Sequence, residues 1–227
     1  MPLPTGTTLL TPTVPVHVFD APAPGPTVIL QAGIHGDEVA GVHALAELLE
    51  AGIRPTAGRL IIIPVMNAPA YRARQRAAPG GLDLNRCFPG DAAAIEPERR
   101  LARVFMDLVL EERPALVATL HESQKRFHPA IPVSFGQTIV YGVEPRPAVV
   151  DDLVAAMNAG LAHPYELWAP HFYPVATSST EVIVEATGCV GLCLETWMGF
   201  EEARRVSMHK ELCLLMLDRF GVRPLGR

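Results

Sequence analysis

Apolar residues in this chain fall into short runs and longer periodic stretches, and the switches between them outline its elements. Residues 1–26 are rich in Pro and Thr, with one alternation, Val14-Pro15-Val16-His17-Val18, that predicts an edge strand. Thr27-Val28-Ile29-Leu30-Gln31-Ala32 is the first full strand. A helical pattern runs from about Glu38 to Glu50, with Val39, Val42, Leu45, Ala46 and Leu49 on one face and Gly52 as its stop. Arg59-Leu60-Ile61-Ile62-Ile63-Pro64-Val65 has the continuous apolar character of a strand covered on both faces. Residues 66–95 show no sustained period, and a loop that long within a compact fold points to function. Helical spacing resumes from Glu96 to Glu112, and the strand Ala115-Leu116-Val117-Ala118-Thr119-Leu120 then runs directly into His121.

Further along, Thr138 to Tyr141 predicts a strand, Val149 to Leu161 a helix, and residues 163–180 a loop rich in His, Pro, Tyr and Ser. Glu181 to Ala186 and Val190 to Glu195 read as two late strands. A last helix runs from about Glu201 to Phe220, closed by Gly221 with Pro224 beyond it. Strands alternating with helices predict an α/β fold with a mixed, largely parallel twisted sheet and helices on both faces.

Composition narrows the function classes. The 227 residues are 49% hydrophobic, enough for a sizeable core, and are read as one domain spanning 1–227. A formal charge of -5 gives no reason to expect nucleic acid or an anionic membrane as partner. The four cysteines, Cys87, Cys189, Cys193 and Cys213, form no Cys-x-x-Cys pair and fit free thiols in a reducing compartment. The first residues lack a secretory pattern, and no apolar run approaches the roughly 20 residues that span a bilayer. A soluble cytoplasmic protein is expected.

In open α/β sheets, reactive groups gather beyond the carboxyl ends of the strands. His35 and Glu38, in Ile34-His35-Gly36-Asp37-Glu38, follow the first full strand; His121 follows the third; Glu195 ends the last. Residues three apart near a helix start project toward the same side. Together with His121 they make the set of two imidazoles and one carboxylate that leaves a zinc position open for chemistry. Glu195 could then act as a base toward water. Taken singly, each has a plainer reading: His35 a turn residue, Glu38 a carboxylate favoured at a helix start, His121 a strand-end polar group, Glu122 a surface acid. The long loop adds Arg72, Arg74, Arg76 and the run Asp83-Leu84-Asn85-Arg86. Solvated charge is the plain reading there. A guanidinium fork for a substrate carboxylate and a donor for a growing oxyanion are the functional ones.

With these residues in view, the chain resembles the zinc carboxypeptidase family, in its succinylglutamate desuccinylase/aspartoacylase branch. Gly33-Ile34-His35-Gly36-Asp37-Glu38 is similar to the first metal motif of that branch, and Asn67-Ala68-Pro69-Ala70 to its Asn-Pro-x-Ala segment with Ala in place of Pro. Asp83-Leu84-Asn85-Arg86-Cys87-Phe88-Pro89-Gly90 follows its Asp-Leu-Asn-Arg-x-Phe-Pro-Gly run. The resemblance implies a zinc carboxypeptidase-like fold and one Zn2+ held by His35, Glu38 and His121. It implies that Asn85 and Arg86 bind the substrate carboxylate, that Arg76, favoured over Arg74, polarises the scissile carbonyl, and that Glu195 activates the attacking zinc-bound water.

A loop tyrosine of the family would be Tyr173, with Tyr165 as the alternative. His163 and His171 are expected at the rim, His43 in a structural role, and Cys87 as a small buried thiol. Asp37 or a nearby backbone carbonyl is the expected partner of a ligand imidazole. Aspartoacylase-like relatives carry a further β-rich region after the catalytic domain, which this chain is expected to lack. The implied activity is hydrolysis of an amide bond next to a free carboxylate, by an N-acyl amino acid deacylase or a small carboxypeptidase, with a small carboxylate-bearing amide or peptide as partner. The alternative is a non-catalytic metal- or carboxylate-binding protein on the same scaffold. A Ser or Cys hydrolase lacks support, as no Gly-x-Ser-x-Gly elbow is present.

Overall fold

The computed structural model describes residues 2–131 and 133–222; Pro224, read above as lying beyond the last helix, falls outside them. Eight strands form one mixed sheet: β1 (Gly6–Thr11), β2 (Val14–Asp20), β3 (Ala23–Ala32), β4 (Ala57–Ile63), β5 (Leu116–Ser123), β6 (Thr138–Tyr141), β7 (Ala169–Phe172) and β8 (Val190–Trp197). Their order across the sheet is β1-β2-β4-β3-β5-β8-β6-β7. The centre is parallel, with β3 between β4 and β5 and with β8 beside β5. Antiparallel pairings join β1 to β2, β2 to β4 and β6 to β8. The expected mixed, largely parallel sheet is therefore present.

Period-two alternation explains how the sheet is covered. Val28, Leu30 and Ala32 of β3, with Leu60 and Ile62 of β4, face a core built on α1 (Ala40–Glu50), α4 (Ala148–Asn158) and α6 (Glu202–Arg219). Ile29, Ile61 and Ile63 point the other way, onto α3 (Pro97–Glu112) and α5 (Ser179–Thr187). Two apolar cores, one on each face, cover the central strands. Their carboxyl ends all open toward one edge, where His35, His121 and Glu195 emerge.

Four departures from the sequence reading have local causes. Glu181 to Ala186 is not a strand but the middle of α5. The Ser178 hydroxyl accepts the Glu181 N–H at 3.2 Å to open this helix, and Gly188, at φ 69°, closes it. Its buried residues, Ser179, Val182 and Ile183, follow helical spacing. Residues 66–95 are not wholly irregular either: α2 (Ala68–Ala73) starts at Asn67, whose Oδ1 accepts the Ala70 N–H, and stops at the left-handed Arg74. Six residues are too few to display a helical period. The Pro- and Thr-rich start contributes β1, fixed by pairing with β2, and the 163–180 loop contributes β7, fixed by pairing with β6.

Candidate active site

The strand ends bring three of the expected residues together. His35 leaves the turn after β3, Glu38 sits just before α1, and His121 lies near the end of β5. Their ligand atoms all fall within 4.8 Å of one another, and all three residues are buried. Glu38 is the hub: its Oε1 lies 2.7 Å from His35 Nδ1 and its Oε2 lies 2.6 Å from His121 Nδ1. The Glu122 backbone N–H also donates to Glu38 Oε2 at 3.1 Å. Gly36 makes this turn possible, because a Cβ there would stand 2.0 Å from the Ala70 backbone.

The electrostatics are those of a carboxylate wedged between two imidazoles. Burial works to raise the Glu38 pKa, but His35 and His121 overcome it and hold the carboxyl well below the usual range. Burial pulls His35 down as well, yet Glu38 and Asp83 carry it up to about 9, while for His121 burial prevails and lowers it. Two imidazole nitrogens and a carboxylate, buried and convergent, are the N/O donor set that suits zinc, so these residues could hold such an ion.

Asp83 takes the place expected of Asp37. Its Oδ1 lies 3.1 Å from His35 Nε2, so the ring is gripped through both nitrogens. The other oxygen of Asp83 accepts from Arg76, with Nη2 at 2.9 Å and Nε at 3.1 Å. Arg76 Nη1 in turn lies 3.4 Å from His35 Nδ1 and 3.7 Å from Glu38 Oε1. Arg74 turns away and lies over the Tyr71 ring. Asp83 stands first in the Asp-Leu-Asn-Arg run, and its place in that motif was the one available signal for a role the sequence left unassigned.

Beside the cluster is a cavity of about 400 Å3 lined by Arg76, Asn85, Arg86, Tyr173 and Glu195, as well as by the cluster itself. Tyr173 packs edge-on against Phe135 at 4.8 Å between ring centroids. Tyr165 is outside the cavity wall and lies under Arg126. The Asn85 side chain is fixed by the Ser179 N–H, which donates to its Oδ1 at 3.0 Å. Glu195 pairs in register with His121 on the adjacent strand. Its Oε1 accepts from the Cys193 thiol at 3.5 Å, and its Oε2 is buried with no partner among the described residues. Burial, reinforced by the charge of Glu38, pushes the Glu195 carboxyl up to about 8. A cation among the three ligands would favour its ionised form.

The remaining candidates take supporting places. Glu122 is no surface acid: it is buried, pairs with Arg205, and accepts the Ala40 N–H at 2.8 Å, capping α1 from another element. His43 bonds Glu202 and Tyr71. His171 belongs to β7, not to a loop, and packs on Phe127, while His163 stacks on Tyr165. Cys87 is a buried thiol whose Sγ donates to the Asp83 carbonyl. No helix among the described residues is long and apolar enough to cross a membrane.

Comparison with known proteins places this geometry. Residues 24–134 match the family model of the succinylglutamate desuccinylase/aspartoacylase catalytic domain. The chain is 27% identical over 207 residues to a succinylglutamate desuccinylase of Burkholderia orbicola, an alignment covering 88% of this chain and 52% of that protein. It is 48% identical over 69 residues to an N-alpha-acetyl-L-2,4-diaminobutyric acid deacetylase of Halomonas elongata, covering 30% of this chain and 20% of that one. The chain therefore spans about half, or less, of the length of these curated relatives. Among solved structures, a product-bound cell shape determinant protein of Helicobacter pylori superposes with a TM-score of 0.81 at 19% identity, over 93% of this chain and 56% of that one; this likeness is one of fold. Motifs and relatives point to one branch: residues 24–134 carry the catalytic-domain pattern of the succinylglutamate desuccinylase/aspartoacylase family.

Proposed function

We propose that this chain is the catalytic part of a zinc-dependent hydrolase that removes an acyl group from the nitrogen of an amino acid bearing a free carboxylate. The observation that carries the reading is the meeting of His35, Glu38 and His121 with the buried Oε2 of Glu195 at the wall of one cavity, His121 and Glu195 being in register on adjacent strands. The names of the curated relatives, a desuccinylase and a deacetylase, favour deacylation over peptide cleavage.

When bound by His35, Glu38 and His121, a zinc ion would supply Lewis acidity to the carbonyl and acidify water. The protein groups do the rest. Arg86 and the Asn85 amide hold the substrate carboxylate, and because Ser179 occupies Asn85 Oδ1, the Nδ2 group is left to donate. Arg76 is aimed by Asp83 and stabilises the negative charge that grows on the carbonyl oxygen. Glu195 takes a proton from water as the new C–O bond forms. It then passes that proton to the departing amine as the C–N bond breaks. A carboxyl whose pKa is lifted by burial is suited to both halves of that transfer.

The test is turnover of N-acyl amino acids and short peptides by the purified protein with and without a chelator, alongside Glu195→Gln and His121→Ala. Chelation and His121→Ala should abolish activity. Glu195→Gln should lower kcat by at least ~100-fold, the scale of general acid–base catalysis, while zinc content is kept. Full activity in Glu195→Gln would overturn the mechanism, and carboxylate binding without turnover of any compound would favour the non-catalytic alternative.

A further inference from the structure

The cavity beside the ligand cluster holds an acid that this reaction leaves unused. Glu181, in the first turn of α5, lines the cavity. Its backbone is fixed by the hydrogen bond from its N–H to Ser178 Oγ. Its carboxylate lies against Gly142, just past β6, where a Cβ would stand 2.0 Å from Oε2. The missing side chain at 142 is what lets the carboxylate rest there.

Glu181 forms no ion pair among the described residues; burial and the neighbouring Glu185 work to raise its pKa, and a hydrogen bond from the Val175 backbone works to lower it. Three other acids of the wall already have a role. Glu38 lies between the two imidazoles, Glu122 pairs with Arg205, and Glu195 stands as the base. Asp37, whose buried Oδ1 has no hydrogen-bond partner among the described residues, lies between His35 and Glu38 in the chain, beside the ligand cluster. A carboxylate with no ion pair, at the wall of a cavity that must admit a ligand, offers a seat for a positive group on that ligand.

The position of Glu181 says which end of the ligand would carry it. The same turn of α5 places the Ser179 N–H on Asn85 Oδ1, so Glu181 stands two residues from the contact that orients the carboxylate-binding amide. Val140, Tyr141 and Val175 supply apolar lining in the same cavity, suited to a methylene stem between two charged ends. Building on the deacylase reading of this site, we propose that Glu181 is a specificity residue that receives a terminal ammonium on the amino-acid side chain of the substrate. The preferred substrates are then N-acyl derivatives of diamino acids rather than of acidic or neutral ones.

The probes are pairs that differ only in the ammonium: Nα-acetyl-L-ornithine against Nα-acetyl-L-norvaline, and Nα-acetyl-L-lysine against Nα-acetyl-L-norleucine. Hydrolysis is measured on the zinc-loaded protein, and binding by calorimetry in a Glu195→Gln background. For at least one pair, the cationic member should be favoured about tenfold or more in both kcat/KM and Kd. Glu181→Gln should bring that ratio near one, and the charge-conserving Glu181→Asp should keep it above the Gln value. Equal handling of both members, a preference that survives in Glu181→Gln, or no binding of any probe would overturn the assignment. A Glu181-dependent binding preference without hydrolysis would sustain it while defeating the deacylase reading. Hydrolysis of both members alike would do the reverse.

Discussion

Asp83 shows how much of a site can hang on a residue that never faces the reacting atoms. One oxygen meets His35 Nε2 and the other holds the Arg76 guanidinium. Losing it frees the His35 ring to rotate and lets Arg76 swing into solvent, where half of its side chain already lies. Partners of metal-binding imidazoles typically change affinity by ~10–100-fold when removed. Asp83→Ala should therefore weaken zinc binding by at least ~10-fold in a chelator competition, and unchanged affinity would show that Glu38 alone orients the ring. The sequence located His35, Glu38, His121 and Glu195 because each ends or follows an apolar run, a signal local to a few positions. Asp83 reaches His35 across 48 positions through a loop with no period, and no local pattern reports such a contact. Glu122 was misread as a surface acid for a related reason. Alternation along a strand predicts an outward neighbour only when one face is open, and β5 is buried at every position.

At the scale of elements, α5 is where periodicity misleads. Glu181-Val182-Ile183-Val184-Glu185 is β-branched at its centre and short enough to satisfy either period. Its ends decide the matter: Ser178 can cap a helix, and Gly188 can adopt the left-handed conformation that closes one. Val182 and Ile183 then reach the core that α3 shares with the sheet. Ser178→Ala should cost ~1 kcal/mol and Ile183→Ala ~2–5 kcal/mol in urea unfolding, the first from the lost cap and the second from a cavity under the sheet. Were Ile183→Ala to cost no more than Ser178→Ala, α5 would not be packed as described. The long central strands and α1, α3 and α6 were legible because each repeats its period several times. The short elements β1, β7 and α2 were not, because their formation is decided by a pairing partner or a single cap.

For the molecule as a whole, the two halves of the fold are tied behind the site by one buried network. His209 of α6 is fully buried, and its Nε2 lies 3.1 Å from the Thr196 hydroxyl of β8. That hydroxyl donates to Glu122 of β5 at 3.4 Å, and Glu122 in turn accepts from Arg205 of α6 and from the start of α1. With Thr196 donating onward, the Nε2–H of a neutral His209 completes the chain, and the ring also meets the His121 backbone. Burial accordingly lowers its pKa from 6.5 to about 3. The folded-state value lies below the unfolded one, so the unfolded chain takes up a proton that the native one refuses. The contribution of His209 is complete above pH 6.5 and is lost as pH falls from 6.5 toward 3. At pH 5 the loss should be about 2 kcal/mol, from ~1.4 kcal/mol for each pH unit below the unfolded pKa. His209→Gln keeps a donor for Thr196 but cannot titrate. Urea unfolding of both proteins between pH 7.5 and pH 5 isolates the effect from that of the carboxylates they share. The stability advantage of the parent over the variant should shrink steadily through this range. If the difference between the two stays constant, His209 is not held neutral by the fold, and the bond that ties α6 to β8 must be drawn in another way.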